Sequence, residues 1–164
     1  MTKVRKKDDK PAALDHALYE IEMLSHALLA LCRPGIAPGA DGSAWLEVFA
    51  IHARNLNEFF AKEEEGGGLM KPHHFVSWTY PYAFDAKLAR RASSQIAHLT
   101  YDRERPEEKT SWPFQQHFTT LREQSLAFLR AVRVVDALMA YHANRARTDR
   151  LLDVLPRIHF EAAP

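Results

Sequence analysis

The sequence predicts an all-α protein, a four-helix bundle of the up-and-down type. Apolar residues recur at helical spacing in four segments, Pro- or Gly-rich stretches separate these segments, and none of them alternates apolar and polar residues as a strand would. The length of 164 residues, with 46% hydrophobic and 26% charged side chains, is typical of one globular domain. We therefore expect a single helical domain over 11–164, preceded by a flexible basic arm over 1–10.

The spacing of apolar residues, together with capping residues, glycines and prolines between the segments, sets the expected helix bounds. The predicted helices cover residues 11–32, 43–65, 84–102 and 111–147. Asp41 or Ser43 would cap the second helix, and Gly66-Gly67-Gly68 would end it. Pro113 is typical of a first helical turn, so it marks the start of the fourth helix. This long fourth helix is expected to carry one apolar stripe as far as Met139, with a short extra turn over 151–155.

A long connection, from Gly66 to about residue 82, joins the second and third predicted helices. Connections of this length are uncommon in compact domains unless they are functional or disordered. This one contains LMKPHHFVSWTYPY, which is rich in aromatic residues for a solvated loop. We expect the aromatic side chains to fold back onto the bundle as a lid.

The net charge of +1 is unevenly distributed. The first ten residues have a net charge of +3, and the rest of the chain is therefore about −2. The basic side chains of this start would attract nucleic acid or an acidic partner, or simply be solvated: Lys3, Arg5, Lys6 and Lys7. The remaining chain is not the strongly basic surface expected of a duplex-DNA binder. The charged start resembles no signal peptide, and the longest apolar stretch, Leu24 to Cys32, is too short to span a bilayer. We expect a cytoplasmic protein that does not contact membranes.

No cofactor or metal motif stands out. The chain has one cysteine, Cys32, and its nine histidines show none of the spacings of known metal motifs. Phosphate-binding loops, dinucleotide glycine fingerprints and a Gly-x-Ser-x-Gly elbow are also missing from the sequence. Glu22 and His26 lie one turn apart, on what we expect to be the solvated back of the first helix. A small-ligand or metal-binding bundle that uses His52 and the aromatic loop remains an alternative.

Polar residues form a strip beside the apolar face of the third predicted helix. An α-helix turns by 100° per residue, which places Arg91, His98 and Asp102 on one strip of the helix surface. Ser94 and Tyr101 border this strip. The Cα atoms of Arg91 and His98 would be about 10 Å apart along the axis, so one straight helix cannot close both side chains around a small group. They would line an elongated site, meet residues of a second subunit, or make ordinary surface hydrogen bonds.

His52 falls inside the apolar arc of the second predicted helix. An imidazole in that position needs a hydrogen-bond partner, because an unpaired buried polar group is destabilising. It is either a satisfied core histidine or a group facing the groove that His98 borders. Arg54 lies opposite the arc and is expected to pair with Glu58 in solvent.

The segment RASSQIAH, from Arg91 to His98, resembles the arginine–histidine motif of the HEPN superfamily, small helical bundles of prokaryotic defence and toxin–antitoxin systems. The segments HARNLNEFF over 52–60 and SSQIAHLTYDR over 93–103 are also similar to those of bacterial helical proteins of this length, and the layout agrees over about 12–145. Ala92 stands where the family often has Asn, Asp or His, and Thr100 stands where some members have Tyr.

This resemblance implies metal-independent cleavage of RNA. His98 would act as general acid or base and Arg91 would bind the phosphoryl oxygens. Supporting roles would fall to the neighbouring polar residues: Ser94, Tyr101, Asp102 and His52. It also implies a homodimer or higher homo-oligomer, single-stranded RNA as substrate and a cognate protein partner, with the basic arm helping to hold the RNA. The alternative is a non-catalytic bundle that binds a protein partner or self-associates.

Overall fold

The computed structural model describes residues 10–33, 40–61, 70–79, 82, 85–92 and 114–158. Across these ranges the protein is all-α, and no β-strand occurs in them. The α-helices are α1 (Lys10–Leu31), α2 (Ala40–Phe60), α3 (Ala86–Arg91), α4 (Phe114–Arg133), α5 (Asp136–Met139) and α6 (His142–Val154). The described residues also contain two 3-10 turns, Pro72–His74 between α2 and α3 and Leu155–Arg157 after α6. The predicted fold class, an all-α helical bundle, is confirmed.

The helix α1 forms as the apolar stripe predicts, and its buried face contains leucine and isoleucine at the expected positions: Leu14, Leu18, Ile21, Leu24 and Leu28. This face packs most extensively against α2. Glu20 of α1 contacts His52, whereas the earlier residue His16 lines a cleft together with the later α2 residue Glu58, so the two helices run antiparallel. The short connection between them favours this arrangement.

The helix α6 closes the bundle, because it packs against both α1 and α4. Asn144 donates a hydrogen bond to the carbonyl of Pro11 (2.9 Å), and Arg150 further along α6 pairs with Glu22, so α6 runs parallel to α1. Arg133 at the end of α4 binds Asp149 with an Nε–Oδ1 distance of 2.5 Å. The first and last described helices are therefore neighbours in the bundle.

Aromatic residues of the connection after α2 pack onto the bundle, as expected. Phe75 is buried, and the Trp78 ring stacks on Phe60 with centroids 5.9 Å apart and planes 26° from parallel. Trp78 also meets Phe128 of α4 edge to face at 5.9 Å. The described part of this segment is thus an extension of the core, with the geometry that aromatic pairs prefer.

The bounds of α2 differ from the prediction at both ends. The helix begins at Ala40, so Asp41 and Ser43 lie within it and do not cap it. It ends at Phe60, and not at Glu65 before the glycines. The reason is Lys71, which is buried and donates from Nζ to the carbonyl oxygens of Glu58 (2.5 Å) and Ala61 (3.1 Å). Carbonyl groups at a helix end lack intrahelical partners, and a cation satisfies them well.

The predicted single fourth helix is also wrong beyond Arg133. The chain is extended at Val135 (φ −96°, ψ 97°) and again at Tyr141 (φ −73°, ψ 110°), so α5 and α6 are separate helices. Leu138 and Met139 of α5 are buried, which places the bend itself in the core. Three valines in four residues also favour an extended backbone at this position. Residues 151–154 continue α6 and are not an extra turn.

None of the helices in the described ranges combines the length and the apolarity that crossing a bilayer requires.

Candidate functional site

Most of the predicted site residues lie outside the described part of the chain. Arg91 is the last residue of α3, and its side chain is not described. The other members of the predicted strip lie outside the described residues, as do the four basic residues of the arm: Ser94, His98, Tyr101, Asp102, Lys3, Arg5, Lys6 and Lys7. Their roles therefore stay predictions.

His52 lies at the seam between α1 and α2. Its Nδ1 is 2.6 Å from Oε2 of Glu20, and the ring of Tyr19 meets the imidazole edge to face at 5.7 Å. Oε2 of Glu20 also accepts a 3.0 Å hydrogen bond from Asn55. The interpretation of His52 as a satisfied buried histidine is confirmed.

The predicted pairing of Arg54 with Glu58 is confirmed as well, with Nε and Oε1 3.1 Å apart. By contrast, Glu22 is not on a solvated face. It is buried, and it binds Arg147 (Nε to Oε2, 3.1 Å) and Arg150. Helical periodicity places Glu22 on the back of α1, but α6 covers that back at Glu22, and the arginines of α6 compensate the buried charge.

A shallow cleft of about 180 Å³ lies beside the Glu20–His52 pair. Its floor is apolar and its rim carries two carboxylates; the lining residues are His16, Ala17, Glu20, Asn55, Leu56, Glu58, Phe59 and Met70. Both rim carboxylates already have partners outside the cleft lining, since Glu20 pairs with His52 and Glu58 with Arg54. Within the described residues no three His, Cys, Asp or Glu side chains are grouped so that they could hold a metal ion.

A second polar cluster lies where α3 begins, and fully buried Asn57 of α2 is its centre. Oδ1 of Asn57 accepts hydrogen bonds from the Tyr82 hydroxyl (2.7 Å) and from the backbone N–H of Asp85 (2.9 Å). Nδ2 of Asn57 donates to the Asp85 carbonyl (3.0 Å). Both backbone groups of Asp85 are thus bound by one side chain, which attaches the start of α3 to α2.

Asp85 also uses both of its carboxylate oxygens. Oδ1 accepts a hydrogen bond from the N–H of Lys87 (3.0 Å) in the first turn of α3, in the manner of an N-cap. Oδ2 lies 3.2 Å from Nδ1 of His117 on α4, and that imidazole is mostly buried, with 13% of its side chain exposed. A carboxylate at Nδ1 fixes the orientation of an imidazole ring. The structure therefore contains an oriented Asp85–His117 pair at the start of α3.

The Tyr82 hydroxyl belongs to the same cluster. Burial raises the pKa of Tyr82 well above its ordinary value, and the nearby negative charge of Asp85 raises it further. The hydroxyl is therefore a neutral donor to Asn57 at physiological pH. It acts as a structural hydrogen-bond donor and not as a base.

The Asp85–His117 pair was not predicted from the sequence, although part of its signal is present there. His117 stands four residues before Leu121 and eleven before Phe128, so helical spacing places it on the buried side of α4. Asp85, two residues before Lys87, is a recognisable helix cap. Their contact joins residues 32 positions apart in the chain, and no local pattern predicts such a pairing.

Comparison with known proteins adds no further constraint, because no protein-family model, curated protein or solved structure matches this chain.

Proposed function

We propose that this protein is a HEPN-like, metal-independent ribonuclease that cleaves single-stranded RNA as a homodimer. The proposal rests on the motif that begins at Arg91 and on one structural observation. The helix that bears Arg91 is attached to the bundle core at its first residues, because Asn57 binds both backbone groups of Asp85. A catalytic arginine needs such a rigid support, since a loosely held cation stabilises a transition state poorly.

The reaction uses the 2′-hydroxyl of the RNA itself as nucleophile. His98 is the proton-transfer group, because imidazole changes its charge near neutral pH. The Arg91 guanidinium neutralises charge that develops on the phosphoryl oxygens. Arg91 and His98 are seven residues apart, too far for both to act on one phosphate within a single copy. A dimer overcomes this distance, because His98 of one copy approaches Arg91 of the other. The basic residues of the arm would then hold the flanking phosphates.

The test is incubation of the purified full chain with a mixed-sequence single-stranded RNA in EDTA. We expect cleavage that leaves 2′,3′-cyclic phosphate ends, and a loss of about 100-fold or more in the rate of His98→Ala, which is the typical contribution of a positioned acid–base group. His26→Ala is the matched control, because His26 is an exposed histidine in α1 and lies outside the motif. The active protein should sediment as a dimer or a higher oligomer.

Two outcomes would refute this function. One is that the wild type does not cleave RNA under these conditions, and the other is that His98→Ala cleaves as fast as His26→Ala. Circular dichroism and melting of the three proteins show whether any loss of rate reflects unfolding.

A specific observation also favours the non-catalytic alternative, a bundle that binds a protein partner. Val134 and Tyr141 flank α5 and leave 79% and 61% of their surfaces exposed. Large apolar side chains exposed on one surface are typical of protein-binding sites, and these two are only seven positions apart in the chain. Association that Val134→Asp and Tyr141→Asp abolish, in a protein without ribonuclease activity, would support this second function.

A further inference from the structure

Charge is distributed unevenly over the described part of the bundle. The helices α1 and α2 together carry two lysine or arginine residues and six acidic residues. Residues 114–158, which include α4, α5 and α6, carry seven arginines and four acidic residues. A polyanion is therefore attracted to the side of the bundle that α4 and α6 form and repelled from the side of α1 and α2.

Most of the seven arginines already have partners. Four of them bind carboxylates: Arg133, Arg147, Arg150 and Arg157. Arg122 donates to the carbonyl oxygen of Ile158 (2.7 Å). Arg130 and Arg145 form no ion pair with any other residue that the structure describes. Within the described bundle, these two charges are left for an anion from outside it.

Arg130 and Arg145 lie along one seam, between α4 and α6. These helices pack antiparallel, with Arg133 of α4 bound to Asp149 of α6. Arg130 precedes Arg133 by three residues and is turned from it by about 60°, and Arg145 precedes Asp149 by four residues and is turned from it by about 40°. The two arginines therefore flank the Arg133–Asp149 pair, about 10 Å apart along the helix axes.

Tyr141 adds an aromatic ring to this surface. The backbone N–H of Arg145 donates to the Tyr141 carbonyl, so the two side chains are one helical turn apart on the same face of α6. The tyrosine leaves 61% of its surface exposed. An exposed ring beside a cation suits a single-stranded nucleic acid, because the ring stacks on an unpaired base while the cation contacts a phosphate.

The basic arm joins the bundle next to this surface. Asn144, the neighbour of Arg145, donates a hydrogen bond to the carbonyl of Pro11 (2.9 Å). Lys10, the last basic residue among the first ten, therefore begins α1 beside the first turns of α6. Positive charge from the start of the chain thus continues onto the seam.

Resting on the ribonuclease function, which makes single-stranded RNA the ligand, we propose that the seam between α4 and α6 binds the RNA backbone. Arg130 and Arg145 contact two phosphates of one strand, and Tyr141 stacks on one of its bases. The positive charge favours this polyanion over the apolar protein partner that the exposed Tyr141 would otherwise suit.

Binding without cleavage tests this surface. A fluorescein-labelled 2′-O-methyl oligonucleotide of mixed sequence has no 2′-hydroxyl nucleophile, so its anisotropy reports binding alone. We expect Arg130→Gln and Arg145→Gln each to weaken binding about fivefold at about 0.1 M salt. Each should also reduce the steepness of log K against log salt by about 0.7, the value for one phosphate contact of a single strand. Arg157→Gln is the matched control, because Arg157 is exposed but already bound to Asp153, and it should change neither quantity.

Substitutions of Tyr141 test the stacking separately. We expect Tyr141→Ala to weaken binding by about fivefold to 100-fold, the range for loss of one stacked base, and to leave the salt dependence unchanged because no charge is removed. Tyr141→Phe keeps the ring and should bind as the wild type does. Thermal melting of all variants shows whether any loss of binding reflects unfolding.

Three results would overturn this surface. The first is a wild type that does not bind the oligonucleotide, and the second is unchanged affinity and salt dependence in both arginine variants. The third is equally tight binding of polyglutamate with the same dependence on Arg130 and Arg145, which would assign the surface to an acidic protein. Cleavage of unmodified RNA that depends on His98 but not on these arginines would leave the ribonuclease function standing without this surface. Binding that depends on them in a protein that does not cleave would do the reverse.

Discussion

Asn57 shows how much of the local structure can depend on one amide side chain. It is fully buried and makes three hydrogen bonds, to the Tyr82 hydroxyl and to both backbone groups of Asp85. A buried amide that is fully paired stabilises the fold, whereas the loss of the amide leaves several buried partners unsatisfied. At the residue scale, Asn57 therefore determines where α3 starts and how the Asp85–His117 pair is held.

Substitution of Asn57 tests this dependence. We expect Asn57→Ala to lower the free energy of unfolding by about 2–4 kcal/mol, because each buried group left without a partner costs about 1–3 kcal/mol. Asn55→Ala is the matched control, since Asn55 is two residues away on α2 but exposed, with one hydrogen bond to Glu20. Urea denaturation measures both variants. Equal destabilisation by the two substitutions would contradict the role assigned to Asn57.

At the scale of elements, contacts from distant residues set the ends of helices. The helix α2 stops at Phe60, where Lys71 binds the carbonyl groups of Glu58 and Ala61. The segment after α4 bends because Leu138 and Met139 of α5 enter the core. In both places burial and hydrogen bonding outweigh intrinsic helix propensity, which differs by less than about 1 kcal/mol among ordinary residues.

Removal of the Lys71 ammonium should therefore loosen the end of α2. Lys71→Met keeps most of the side-chain volume but cannot bind the two carbonyl groups. We expect a loss of about 1.5–3 kcal/mol in unfolding free energy, the usual value for hydrogen bonds that involve a charged group. Amide hydrogen exchange in the last turn of α2 should become faster. Lys87→Met in α3, where the lysine is exposed, is expected to change stability by less than about 0.5 kcal/mol; a comparable effect of the two changes would exclude this explanation.

At the scale of the whole molecule, α1 and α6 close the bundle. Arg147 binds Asp15 (Nη1 to Oδ1, 2.5 Å) as well as Glu22, and Arg150 pairs with the same Glu22. Glu22 is buried and Arg147 is partly buried, so these pairs are screened less than surface ion pairs. They join helices whose residues are more than 120 positions apart in the chain.

Neutralisation of Glu22 tests this closure. Glu22→Gln keeps the shape of the side chain and removes the charge that two arginines share, so we expect a loss of about 1–3 kcal/mol of stability, below the full cost of breaking a completely buried pair. Glu123→Gln is the control, because Glu123 is exposed on α4. Thermal melting of both variants at low and high salt measures the effect. Identical melting temperatures for the two proteins would show that the ion pairs do not stabilise the closure.

Much of the architecture follows from local patterns. The all-α class, the bounds of α1 and the packing of the aromatic connection were predictable, because helical periodicity and clustered aromatic residues are properties of neighbouring positions. The need of His52 for a partner was predictable for the same reason, but its identity, Glu20, was not. Arg91 lies within the helix predicted for it, and the roles of His98 and the rest of the strip remain predictions.

Other features arise from contacts between residues far apart in the chain. Lys71 ends α2, α6 buries Glu22, and Asp85 meets His117 on α4. Each of these depends on which helices are neighbours in the bundle, and periodicity shows which face of a helix is apolar but not which helix will cover it. The apolar pattern thus specifies that helices form and pack, while the buried charges and the oriented imidazole follow from the particular way in which they pack.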